Sequence, residues 1–230
     1  MKRILITGKG SYIGTHFKEY LEKEPQNYYV EELDMVDGSW KDFDFSDFDV
    51  VYHVAGIAHI KEVKENEELY YKVNRDLVIE VAKKAKESGV QQFIFMSSMS
   101  VYGLNYSNEL ITVSTKCNPN TYYGISKYQA EKGIKKLEND TFKVCIVRPP
   151  MVYGDNSPGN LTKLFNAVRK FHIFPTIKNE RSSITVERLV AFIKEYIDEE
   201  KSGLYLPQND KYMCTYDIVR EKMDQEGIKV

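Results

Sequence analysis

The chain predicts an α/β fold, a doubly wound parallel sheet with a small C-terminal lobe, and three observations carry that prediction. Short apolar runs alternate with segments of helical period along the whole length. Two of those runs, 49–54 and 92–97, are apolar without clean alternation, as central strands covered on both faces are. The first run passes directly into a glycine-rich turn that opens a helical segment.

Taken in order, the strands are expected at 2–7, 28–33, 49–54, 92–97, 143–148 and 204–207. The helices are expected at 12–23, 67–88, 122–138, 160–171, 187–199 and 215–226. The first helix shows its inner stripe in Ile13, Phe17, Tyr20 and Leu21. Residues 28–33 alternate as a strand does. Right-handed crossovers between parallel strands then bring the strand C-terminal ends to one edge of the sheet. The loops carrying Gly8, Gly56 and Ser98 share that edge. At 230 residues the chain is read as one domain, 1–154, with 155–230 mostly a small lobe. The loop 38–48 is acidic and aromatic; Asp44 and Phe45 there suit either an adenine contact or a surface turn with buried aromatics.

Bulk properties narrow the function classes. A net charge of −2 and a pI near 6.1 give no basic footprint for nucleic acid. No apolar run reaches the length that spans a membrane, and the opening apolar run is too short for a secretion signal. Cys117, Cys145 and Cys214 are widely spaced and odd in number, which suits reduced thiols in the cytoplasm. No metal site is expected, because His16, His53, His59 and His172 lack ligand spacing.

The turn Thr7-Gly8-Lys9-Gly10-Ser11-Tyr12-Ile13-Gly14 lies between strand and helix, the setting of a dinucleotide-binding loop. Glycine allows the tight turn and the close approach of backbone to a diphosphate, and the helix start offers free N–H groups. Asp34, at the end of the second strand, is placed to accept the ribose hydroxyls and to repel a 2′-phosphate. That favours NAD over NADP, with Lys9 as the opposing charge. Tyr123 and Lys127 stand one helical turn apart and project from one face. An ammonium there is expected to lower the phenol from its ordinary value of about 10. Ser98 upstream supplies a hydroxyl for a substrate oxygen. With 17 tyrosines and 32 basic residues, the Tyr–Lys pair alone reads equally as a partly exposed helix.

In sum the chain resembles the extended short-chain dehydrogenase/reductase family, in its NAD-dependent nucleotide-sugar epimerase/dehydratase branch. Thr7-Gly8 through Gly14 is similar to the T-G-x-x-G-x-x-G loop, with Ser11 in place of the middle glycine. His53-Val54-Ala55-Gly56 is similar to the H-x-A-[AG] turn beside the cofactor, and Asn74 to a helix Asn that supports the active-site Lys through water. Ser97-Ser98-Met99-Ser100-Val101-Tyr102-Gly103 resembles S-S-x-x-V-Y-G, with Ser98 as the catalytic serine. Arg148-Pro149-Pro150-Met151-Val152-Tyr153-Gly154 resembles R-P-x-x-V-Y-G, and Arg181 to Val186 the segment whose Arg holds a diphosphate.

The resemblance implies a Rossmann-like fold binding NAD through Gly8, Gly10, Ser11, Tyr12, Ile13, Gly14, Asp34, Val54, Ala55, Gly56, Asn74, Lys127 and Pro149. It implies Ser98, Tyr123 and Lys127 as catalytic residues, and makes 1–154 the NAD-binding domain that carries them and 155–230 mostly the substrate-binding lobe. A nucleotide-sugar substrate would meet Ser98, Tyr123, Asn160, Leu161 and Arg181; a helix cap is the other reading of Asn160. The implied activity is C4 epimerisation of a UDP-sugar through a 4-keto intermediate. A 4-ketoreductase using NAD(P)H and a non-enzymatic NAD(P)-sensing protein are the alternatives. A 4,6-dehydratase is disfavoured, because Met99 and Ser100 stand where relatives place Asp and Glu. Met151 replaces an Asn that touches substrate in many epimerases. Relatives usually continue several tens of residues past the point matching Val230, with a further substrate-binding Arg there. Relatives also pair as homodimers through helices matching 67–88 and 122–138; a solvated face is the other reading.

Overall fold

A computed structural model describes residues 1–58, 60–176 and 178–229, with only the backbone of Asn160. The chain runs β1 (Lys2–Thr7), α1 (Tyr12–Leu21), β2 (Tyr28–Leu33), β3 (Val50–His53), α2 (Glu67–Tyr71), α3 (Leu77–Glu87) and β4 (Gln92–Met96). It continues through α4 (Tyr122–Lys135), β5 (Lys143–Val147), β6 (Met151–Tyr153), α5 (Asn160–Phe171), β7 (Ser183–Thr185), α6 (Val186–Asp198), β8 (Gly203–Tyr205) and α7 (Thr215–Gln225).

Six parallel strands form the main sheet in the order β2-β1-β3-β4-β5-β8. The order reverses direction between β1 and β3, and that switch point is where such sheets open a crevice. Every residue of β3 and β4 is buried, as their unalternated apolar sequences predict. Alternate residues of β1 serve opposite faces. Ile4 and Ile6 pack with Phe17 of α1 and Leu189 and Ile193 of α6, while Leu5 joins Val78 and Ala82 of α3 and Ala130 and Ile134 of α4.

Four features depart from the expected map. The span 67–88 is one helical run, but its middle, Lys72–Asp76, is a π-helical turn between α2 and α3. The expected helix 122–138 stops at Lys135, where the Asn139–Phe142 bridge turns the chain into β5. A second, two-stranded sheet pairs β6 with β7, strands too short to show a period. Lastly, α6 and β8 lie beyond residue 154 yet pack on the main sheet. Outside it, α5 and α7 share a small core of Val168, Val219 and Met223.

In the loop 38–48, Trp40, Phe45 and Phe48 are buried in the core. Asp44 is exposed and accepts from the Ser46 N–H. The aromatics therefore anchor a surface turn rather than reach an adenine.

Candidate active site

The glycine-rich turn sits on the β1 end of the crevice. The N–H groups of Gly8 and Lys9 donate to the Leu33 carbonyl, tying the turn to the end of β2. Gly8 has a left-handed φ of 114°, and a Cβ there would lie 2.8 Å from the Ala55 nitrogen. Glycine is therefore what lets β1 and the turn after β3 close together. Ser11 caps α1, its Oγ accepting from the Gly14 N–H at 3.2 Å. The N–H groups of Tyr12 and Ile13 have no acceptor among the described residues. Gly10, also left-handed, has open space where a Cβ would stand. Its N–H donates to Glu32, which also pairs with Lys18. Asp34 is exposed just past β2, with one oxygen accepting from the Val36 N–H. Two open N–H groups at a helix start and a carboxylate at the next strand end fit the diphosphate and ribose of a dinucleotide.

The opposite wall is the turn after β3. His53 is fully buried, bonded to Thr7 Oγ1 at 2.7 Å. Burial, with the Lys127 charge adding to it, pushes its imidazole down to about 3, so the ring is neutral. Val54 and Ala55 donate their N–H groups to the Thr7 carbonyl. A Cβ on Gly56 would stand 2.9 Å from Asn74 Oδ1 and 3.3 Å from Lys127 Nζ. Asn74 is buried in the π-helical turn and clasps the Ile57 backbone, accepting from its N–H and donating to its carbonyl, both at 2.9 Å. Its direct task is thus to pin this turn against the Lys127 ammonium. The extra backbone residue of a π turn re-aims such a side chain.

Ser98 lies at the end of β4 and Tyr123 in the first turn of α4. The Ser98 Oγ accepts from the Ser100 N–H at 3.1 Å, so it starts a single 3₁₀ turn, Met99–Tyr102. Two caps hold the α4 N-terminus. Thr121 Oγ1 accepts from Gly124, and the Glu62 carboxylate accepts from the Tyr122 and Tyr123 N–H groups at 3.1 and 3.0 Å. No spacing rule pointed to Glu62, which reaches this helix from a loop far upstream.

One turn further on, Lys127 is buried and donates to the Met96 carbonyl at 2.9 Å, its ammonium 4.7 Å from the Phe95 ring centre. Burial pushes its pKa down to about 8, with Glu131 opposing the fall. The Tyr123 phenol is raised by burial, with Tyr70 adding to the rise and Ser98 opposing it. The expected lowering by Lys127 is not found in the protein alone, because the ammonium is turned down onto the end of β4.

The remaining expected residues lie apart from this cluster or border it. Pro149 is buried beside the serine turn, its carbonyl accepting from Met99. Leu161 is buried in the first turn of α5. Asn160 opens that helix, so Gly159, not Asn160, is its cap; the Asn160 side chain lies outside the described residues. Arg181 exchanges backbone hydrogen bonds with Met213, and its side chain is exposed with no ion pair among the described residues. His59 lies outside the described residues; elsewhere no cluster of three or more potential metal ligands occurs among those described. None of the described helices is long and apolar enough to cross a membrane.

A parallel sheet with a phosphate-type turn at its switch point, and Ser, Tyr and Lys on the next strand end and helix, defines a class of dinucleotide-dependent enzymes acting on hydroxyl groups. A profile of the NAD dependent epimerase/dehydratase family matches residues 4–198, and the chain belongs to that family. It is 32% identical to a UDP-glucose 4-epimerase of Vibrio cholerae, over 96% of this chain and 74% of that protein. It is 29% identical to an undecaprenol-linked N-acetylglucosamine 4-epimerase of Escherichia coli O157:H7, over 87% of this chain and 64% of that protein. A crystal structure of UDP-glucuronic acid 4-epimerase from Bacillus cereus in complex with NAD superposes with a TM-score of 0.85, covering 99% of this chain and 84% of that one. Their identity is 18%, so this match bears on the fold alone.

Proposed function

We propose that the protein is an NAD-dependent epimerase that inverts C4 of a UDP-sugar through a 4-keto intermediate. The observation that carries this reading is the meeting of Ser98, Tyr123 and Lys127 beside the Gly8–Gly14 turn, at the single edge where the strands end.

Gly10, Ser11, Tyr12, Ile13 and Gly14 would hold the cofactor diphosphate, and Asp34 its adenosine ribose. Val54, Ala55, Gly56 and Pro149 would form the walls. The cofactor, when bound, accepts the C4 hydride and returns it. Tyr123 takes the proton from the C4 hydroxyl and later restores it. Ser98 donates to the same oxygen, holding it while it is a ketone. Lys127, whose ammonium rests on the Met96 carbonyl in the protein alone, would bond the ribose of a bound cofactor and bring its charge nearer the phenol. Burial of Tyr123 favours the protonated phenol, so a cation near it is what makes the phenolate accessible. Leu161, Asn160 and Arg181 are assigned to the nucleotide and its diphosphate, Arg181 because its guanidinium has no protein partner among the described residues. Pairing of two copies through the outer faces of α2–α3 and α4 belongs to the same reading. So does a reducing cytoplasm, which suits three unbridged cysteines.

The test is to denature the purified protein, identify the released nucleotide by mass spectrometry, and assay interconversion of UDP-glucose and UDP-galactose. Stoichiometric NAD with interconversion is the expected result. An empty protein that consumes NADH or NADPH on a 4-keto sugar would replace the epimerase by a reductase.

A further inference from the structure

Glu131 is a buried carboxylate that the chemistry above does not use. It stands one turn beyond Lys127 and two beyond Tyr123, on the same face of α4. Its surroundings are specific. Arg148, at the end of β5, grips it with a two-point fork, Nε to Oε1 at 2.9 Å and Nη2 to Oε2 at 2.6 Å. The Ser97 hydroxyl, next to Ser98, donates to Oε1 at 2.5 Å. Both members of the ion pair are almost fully buried, with side-chain exposures of 6% and 4%. The remaining arm of Arg148 donates to the Tyr102 hydroxyl, which closes the 3₁₀ turn behind Ser98. Tyr102 in turn donates to the Thr112 carbonyl.

We propose that Glu131 is a positioning residue for this site, acting through Lys127 and Ser98 without touching substrate. The inference rests on the epimerase reading and deepens it. Ser98, Tyr123 and Lys127 come from two different elements, and a reacting geometry tolerates only small errors between them. One carboxylate ties the end of β4, the end of β5 and the body of α4 together, so the three groups move as one piece. A buried ion pair is weak evidence for stability, since an apolar pair of similar volume often does as well. A second effect follows from charge. Lys127 shares a helix face with Tyr123 and Glu131, neutral His53 on β3 feels its charge, and Arg148 at the end of β5 is paired to Glu131. Of these, Glu131 is the group that holds the lysine in its protonated form against burial.

The variants are Glu131→Gln, which keeps shape and removes charge, and Glu131→Asp, which keeps charge. A third, Glu131→Met with Arg148→Met, replaces the pair by apolar residues and guards against a misfolded single variant. Three readouts are taken: thermal melting, the pH dependence of kcat and KM on UDP-glucose, and the Lys127 titration followed by the Cε carbon shift in lysine-labelled protein. Lys127→Met assigns that signal. The Gln variant is expected to move the Lys127 midpoint and the alkaline limb of kcat down by about one pH unit or more, with KM within about twofold, whereas the double-Met variant, which removes opposite charges together, is expected to move them less. The Asp variant is expected to retain most of the wild-type midpoint even if it melts earlier. A wild-type midpoint in the Gln variant, with only a lower melting temperature, would overturn the proposal and leave Glu131 purely structural. Should the wild-type protein fail to interconvert UDP-sugars, the lysine titration still reads the Glu131–Lys127 link, so the two failures are separable.

Discussion

The corner where β4, β5 and α4 meet and the small lobe built from α5 and α7 hold themselves together in opposite ways. In the corner, Arg148, Glu131, Ser97 and Tyr102 are buried and cross-bonded. In the lobe, the core is three residues, Val168, Val219 and Met223, with Leu164, Phe165, Phe174 and Ile228 packed partly against them. The lobe's ion pairs, among them Arg169 with Glu226, lie at the surface, and Phe171, Ile173 and Tyr212 remain exposed. The corner carries the groups proposed to move protons, and the lobe those proposed to recognise the nucleotide. Bond-making needs fixed geometry, whereas recognition tolerates an element that adjusts.

Substitutions can break or sharpen this contrast. The largest effect is expected from Tyr123→Phe, which removes the proposed proton carrier. Turnover should fall by about 10²–10⁴-fold or beyond detection, while cofactor release on denaturation still shows a bound nucleotide. A variant with wild-type rates would end the enzymatic reading. Next comes Arg148→Met, which strands a buried carboxylate; a loss of about 3–5 kcal/mol in urea unfolding is expected. If that loss is within the scatter of repeat measurements, the corner is not the rigid part. Met223→Ala thins the lobe core and is expected to cost about 2 kcal/mol. The loss should be local, with KM for the nucleotide sugar raised and kcat nearly unchanged.

A pH effect should follow from His53. Its folded pKa, about 3, lies below the unfolded value of about 6.5, so the unfolded chain binds more protons between the two. Stability should therefore fall as pH drops through that window, and His53→Asn should flatten the slope of urea midpoints between pH 7 and 5. An unchanged slope would mean that other groups dominate acid unfolding. The smallest effect is expected from Arg169→Ala, whose exposed pair should shift the melting temperature no more than repeat melts differ. A large shift would show that the lobe depends on its surface charges.

Much of the main sheet was legible because its signals are local. The runs 2–7 and 28–33 match β1 and β2, and 160–171 matches α5, because period and length agree over each whole segment. The pair β6–β7 was not legible: three residues make no period, and the pairing joins positions far apart. The π-helical turn was hidden because the apolar stripe runs on through it. In the site, spacing alone brought Tyr123 and Lys127 to one face. It misjudged the phenol's titration, because burial by surrounding elements outweighs a cation directed elsewhere.

By itself the sequence determined the strand–helix alternation, the glycine turn at the end of β1, and the serine, tyrosine and lysine at their spacings. These follow from backbone geometry, a helical turn of 3.6 residues and side chains alternating along a strand. Only the tertiary structure decided that Glu62 caps α4, that the Met96 carbonyl takes the Lys127 ammonium, and that Glu131 joins Arg148 and Ser97. Those contacts join residues distant in the chain, and what brings them within bonding distance is the packing of whole elements against one sheet, which no local period encodes.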